Sequence, residues 1–146
     1  MKHHLILRII TKLLIGPILL FALYVQFHGE ISPGGGFQAG VIVAAAIILY
    51  GLVFGLEAAE RAVPASFVHG IMVSGVLIFA GTGVYSMAVG GQFLDYDMLD
   101  PHHPVHGQHL GIILVEIGVL FTVAATMILI FYAFAGRPTP IGDEEW

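Results

Sequence analysis

Leu110–Phe134, LGIILVEIGVLFTVAATMILIFYAF, decides the fold: it is one long apolar run interrupted by a single charge, Glu116. A helix rises ~1.5 Å per residue and a bilayer's hydrocarbon core is ~30 Å thick, so about 20 such residues cross it. A membrane β-strand would alternate apolar and polar residues, and this run does not. Three runs of the same kind precede it. Leu5–Phe27 carries Arg8 and Lys12 near its start, Phe37–Leu56 has no charge, and Val68–Val89 has none either. The sequence therefore predicts an all-α integral membrane protein of four transmembrane helices, at about 5–27, 37–56, 68–89 and 110–134. Together they form one domain over residues 1–136.

Composition agrees. Of the 146 residues, 58% are hydrophobic and 10% charged, against roughly 25% charged in a soluble domain. A chain with so little polar surface needs lipid as its solvent, which places it in the cell membrane as a multi-pass protein. Cysteine is absent, which excludes disulfides, thiolate metal sites and cysteine nucleophiles. The five basic residues are spread along the chain and make no patch for nucleic acid. The first run is longer than the ~7–15 apolar residues of a signal peptide. Gly16-Pro17 in its middle reads as a kink, so the expectation is a retained helix.

Orientation follows from the cations. Lys2, Arg8 and Lys12 open the first helix, Arg61 lies between the second and third, and Arg137 follows the fourth. In a four-span chain these places share one side, so both termini are expected to be cytoplasmic. Residues 137–146, with Asp143-Glu144-Glu145, read as an acidic cytoplasmic tail. Glu57, Glu60 and Pro64 mark a short cytoplasmic turn. The polar loop from Asp95 to His109 holds Pro101 and Pro104, which argues against one continuous helix there.

Glu116 is the most informative residue. A carboxylate two turns into a membrane helix costs several kcal/mol unless it is paired, hydrated or protonated. It reads as a proton- or cation-handling group, or else as a hydrogen bond fastening this helix to another. Ser32-Pro33-Gly34-Gly35-Gly36-Phe37 precedes the second helix. Ser32 is placed to cap, Pro33 to occupy the first turn, and the glycines to admit close packing. No lysine follows, so it does not match a phosphate-binding loop. His102, His103, His106 and His109 crowd one loop, where imidazoles could relay protons, bind a metal or simply be polar. Pro104 is expected to break any regular helical face there, so no metal site is assigned. His28 and His69 mark helix ends. Gly51 and Gly55, Gly70, Ser74 and Gly75, and Gly81 and Gly83 offer small-residue contact positions.

Together these residues resemble the B subunit of the Mrp/Mnh family of multisubunit cation/proton antiporters, over nearly the whole chain. The specific segments are Ser-Pro-Gly-Gly-Gly-Phe-Gln at 32–38 and Gly-Gln-His-Leu-Gly-Ile-Ile-Leu-Val-Glu-Ile-Gly-Val at 107–119. The resemblance implies a small subunit of an assembly that exchanges sodium for protons, a secondary active transporter and not an enzyme, with no cofactor. Its partners would be other subunits, including large ones similar to those of respiratory complex I, together with lipid, sodium and protons. Glu116 would lie on the ion or proton path, with His106, His109 and His28 as companions. The alternatives are a purely structural scaffold in that complex or in a related membrane-bound hydrogenase, and a small metalloenzyme built on the histidine cluster.

Overall fold

The computed structural model describes residues 5–29 and 33–137. It contains α1 (Leu5–Phe27), α2 (Gly36–Phe54), a short α3 (Leu56–Ala62), α4 (Ala65–Ala88), a 3-10 turn (Tyr96–Leu99) and α5 (Pro104–Ala135). Of these, α1, α2, α4 and α5 are long and apolar enough to cross a membrane. With 32 residues, α5 is ~48 Å long, well beyond a ~30 Å hydrocarbon core. Its first turns therefore stand outside the apolar layer.

Large apolar side chains cover the outside of the bundle, Leu13, Leu77 and Phe67 among them, as lipid or partner subunits require. The interior is made of small residues. α5 lies between α2 and α4, while α1 packs chiefly on α2. A Cβ on Gly75 of α4 would come 2.6 Å from the carbonyl oxygen of Gly118 on α5, so the two backbones nearly touch. A Cβ on Gly40 of α2 would come 2.9 Å from the Leu120 carbonyl oxygen of α5. Of the other glycines expected at contacts, Gly51 meets Phe131 and Gly83 meets Phe93, but Gly55, Gly70 and Gly81 face open space.

Two local differences from the sequence reading have simple causes. The turn expected around Glu57 and Glu60 is the helix α3, because Leu-Glu-Ala-Ala-Glu-Arg-Ala is made of strong helix formers. Glu57 and Arg61 add an i,i+4 pair, 3.8 Å apart. Gly55, at φ 96°, is what separates α3 from α2. At the other end of the bundle α5 begins at Pro104, six residues before the run at Leu110, with proline in its first turn. Pro104 lacks an N–H that the first turn would leave unbonded anyway, so it starts the helix instead of breaking it.

The end of the bundle near Arg61 is tied by Tyr132 of α5, whose hydroxyl donates to the Val63 carbonyl at 2.9 Å. Arg8 and Lys12 lie over the Phe54 ring, 4.9 and 5.4 Å from its centroid. Both also line, with Arg61, a cavity of about 570 Å³. Three cations thus gather at one end.

Candidate functional site

At the opposite end, the chain leaving α1 turns back into α2 through Pro33 and the three glycines. Pro33 is exposed in a bend and Gly34 is half-buried, while Gly35 and Gly36 are buried. Gly35 has φ 114°, a conformation that L side chains rarely adopt. It precedes the first helical residue, Gly36, with no side-chain cap on α2. Pro33 therefore lies three residues ahead of the helix instead of in its first turn, and Ser32 lies outside the described residues. The turn is closed by the Gly35 N–H, which donates to the Val25 carbonyl at 3.2 Å.

These glycines form a notch that receives Glu116. A Cβ on Gly29 would lie 2.7 Å from Glu116 Oε1, and one on Gly35 2.9 Å from the same atom. A Cβ on Gly36 would collide with the Glu116 backbone carbonyl. Bare backbone at Gly29, just past α1, and at Gly35, just before α2, thus meets the Glu116 carboxylate, while Gly36 of α2 meets the Glu116 backbone. Gln26 of α1 completes the approach, its Nε2 donating to Glu116 Oε2 at 3.4 Å. Phe37 turns away from this site, 61% exposed.

Gln26 and Gly29 were not singled out from sequence. Gln26 could have been, since a glutamine inside an apolar run is the same kind of anomaly as Glu116, only uncharged.

The histidines divide. His109 precedes Glu116 by seven residues, which returns it to nearly the same face of α5, ~10 Å up the axis. His106 instead serves the loop, its Nδ1 3.1 Å from Asp100 Oδ2. Asp100 also accepts from the His103 N–H at 3.2 Å, and Gln108 Nε2 donates to Asp97 at 2.8 Å. The His106 hydrogen bond outweighs the opposing effect of desolvation and, with the backbone N–H groups of His103 and His102, holds the Asp100 carboxyl below the usual aspartate range. His28 stacks on Tyr24, ring centroids 4.0 Å apart, with Nδ1 2.9 Å from the Tyr24 carbonyl oxygen. His69 likewise keeps Nδ1 2.7 Å from the Ala65 carbonyl oxygen. Among the described residues, no three of His, Asp and Glu converge as metal ligands.

Four helices long and apolar enough to cross a membrane, among the described residues, define a multi-pass membrane protein. The model of a family described as "Domain related to MnhB subunit of Na+/H+ antiporter" matches residues 6–129. Proteins of Staphylococcus aureus strains Newman, JH1 and Mu3, each bearing the provisional name antiporter subunit mnhB2, are 34% identical over 137 residues. The matched stretch covers 92% of this chain and 96% of each of theirs. The chain belongs to the MnhB family. It is a small multi-pass subunit of a multisubunit Na+/H+ antiporter of the plasma membrane, a transporter component and not a catalytic enzyme, and it works with other subunits in a complex.

Proposed function

We propose that this subunit supplies Glu116 to the ion path of a secondary active antiporter, where the carboxylate takes up and releases a proton or sodium. The observation that carries this is the notch. Gly36 lies against the backbone of Glu116, and Gly29 and Gly35 leave bare backbone against its carboxylate in a membrane helix. Such groups are rare in membranes and mark ion pathways by default. His109, on the same face of α5, is the companion toward the membrane surface, and His106 with Asp100 belongs to the mouth above it. His28 sits beside Gly29 at the end of α1. Four helices without an inverted repeat make a poor complete transporter, so the large antiporter-like subunits similar to those of complex I are the expected partners. Both termini lie in the cytoplasm, a reading supported by the gathering of Arg8, Lys12 and Arg61 at one end.

A second reading has an observation of its own: the Gln26 contact ties α1 to α5, as a structural fastener would. Glu116→Gln separates the two in the assembled complex. Loss of sodium-driven proton exchange with normal complex yield supports the path. Normal exchange refutes it, and loss of the complex itself favours the fastener.

A further inference from the structure

Gln26 is 4% exposed, and its amide meets Glu116 with one of its two polar atoms. Nε2 lies 3.4 Å from Glu116 Oε2. Oε1 is buried and has no hydrogen-bond partner among the described residues. Buried polar atoms are almost always satisfied, and an exception calls for a cause. Exchanging the amide's nitrogen and oxygen offers no relief, because an ionised carboxylate would then face another acceptor.

A positive charge between the two side chains gives the Gln26 oxygen its partner. A proton on the carboxyl makes an O–H that donates to Gln26 Oε1, while the second carboxyl oxygen still accepts from Nε2. A small monovalent cation would take the amide oxygen and the carboxylate as hard oxygen ligands. The glycine walls fit either. A Cβ on Gly29 or Gly35 would come within 2.7 or 2.9 Å of Glu116, so the notch admits only something small.

We propose that Gln26 is the second holder of the charge that Glu116 takes up: a proton or small monovalent cation sits between the Glu116 carboxylate and the Gln26 amide oxygen. This rests on the reading of Glu116 as an ion-path group. Round the pair, the histidines are His28 just past α1, His69 on α4, and His106 and His109 on α5; α2 has none. Arg8 and Lys12 are at the far end of α1.

The test compares Gln26→Met, similar in length and without the amide, with Glu116→Gln in the intact antiporter complex. Two quantities are read: the sodium concentration giving half-maximal exchange, and the infrared carbonyl band of protonated Glu116, identified by its absence in Glu116→Gln. If the pair holds a metal cation, Gln26→Met raises the half-saturating sodium about tenfold and changes the maximal rate less. If it holds a proton, the Glu116 band moves to the higher frequency of a carboxyl lacking its acceptor. Neither effect, with Glu116→Gln inactive, overturns the role of Gln26 and leaves Glu116 on the path. Wild-type exchange in Glu116→Gln removes the reading beneath. Should Gln26→Met fail to assemble, native complex with carbon-13-labelled glutamine replaces it. There the Gln26 carbonyl band must shift in step with that of Glu116 on adding acid or sodium, and a fixed amide band overturns the proposal.

Discussion

Replacing Gly75 with alanine adds one methyl group at the crossing of α4 and α5. The new Cβ would lie 2.6 Å from the Gly118 carbonyl oxygen and 2.8 Å from the Thr122 backbone nitrogen. An ordinary carbon–oxygen contact is about 3.4 Å, so the helices must separate by about 0.8 Å. The Thr122 hydroxyl, 2.5 Å away, could turn aside, but these two obstacles are backbone and no rotamer change relieves them. Overpacking of this kind costs about 1–3 kcal/mol, against the ~1 kcal/mol that alanine gains over glycine in a helix interior. Gly70→Ala and Gly81→Ala lie in the same helix with nothing within 4 Å of the added carbon. They should keep the gain and be neutral to stabilising. The assay is denaturant unfolding of the purified chain in mixed micelles, followed by circular dichroism for all three variants. If Gly75→Ala is no less stable than Gly70→Ala, the close backbone crossing of α4 and α5 is wrong.

Three further outcomes are expected. Gly29→Ala places a carbon 2.7 Å from Glu116 Oε1 and 2.9 Å from Gly35 Cα. It should abolish or strongly slow exchange while leaving the complex assembled, checked by transport and by native gel. Asp100, whose pKa is lowered by the His106 hydrogen bond, contributes stability above the unfolded aspartate range, lost as pH falls through its lower folded value. Amide protection over residues 96–106, taken relative to the intrinsic exchange rate at each pH, should therefore fall on acidification below that range, and Asp100→Asn should remove the dependence. The chain has no cysteine, so single cysteines report sidedness directly: Glu57→Cys should react with an impermeant maleimide only in inside-out vesicles, and Gln92→Cys only in right-side-out ones.

The spans were legible because lipid enforces one rule throughout: long apolar runs become helices, since no other open structure satisfies the backbone. Glu116 was legible for the same reason, as an exception to that rule. What sequence could not show was which backbone would face it. The glycines at 34–36 read as a helix entry, yet Gly35 packs on the Glu116 carboxylate and Gly36 on the Glu116 backbone, far along the chain. Gly29 had no local signal at all, because its significance lies in what approaches it. The start of α5 was misplaced since Pro104 looks like a breaker until its position in the first turn is known. His106 and His109 looked equivalent, and the helical register divided them between a loop aspartate and the Glu116 face.

The central place of α5 bears on how the protein is made. α1 and α2 pack on one another, whereas α4 has its main helix contacts with α5. During synthesis the hairpin of α1 and α2 can pair while the ribosome is still at work, but α4 must wait in the membrane without its chief neighbour. α5, which emerges after the other three spans, joins α4 to the hairpin and carries Glu116 into a notch whose walls are already built. The charge that costs most to insert thus enters the bilayer when its surroundings are ready to receive it.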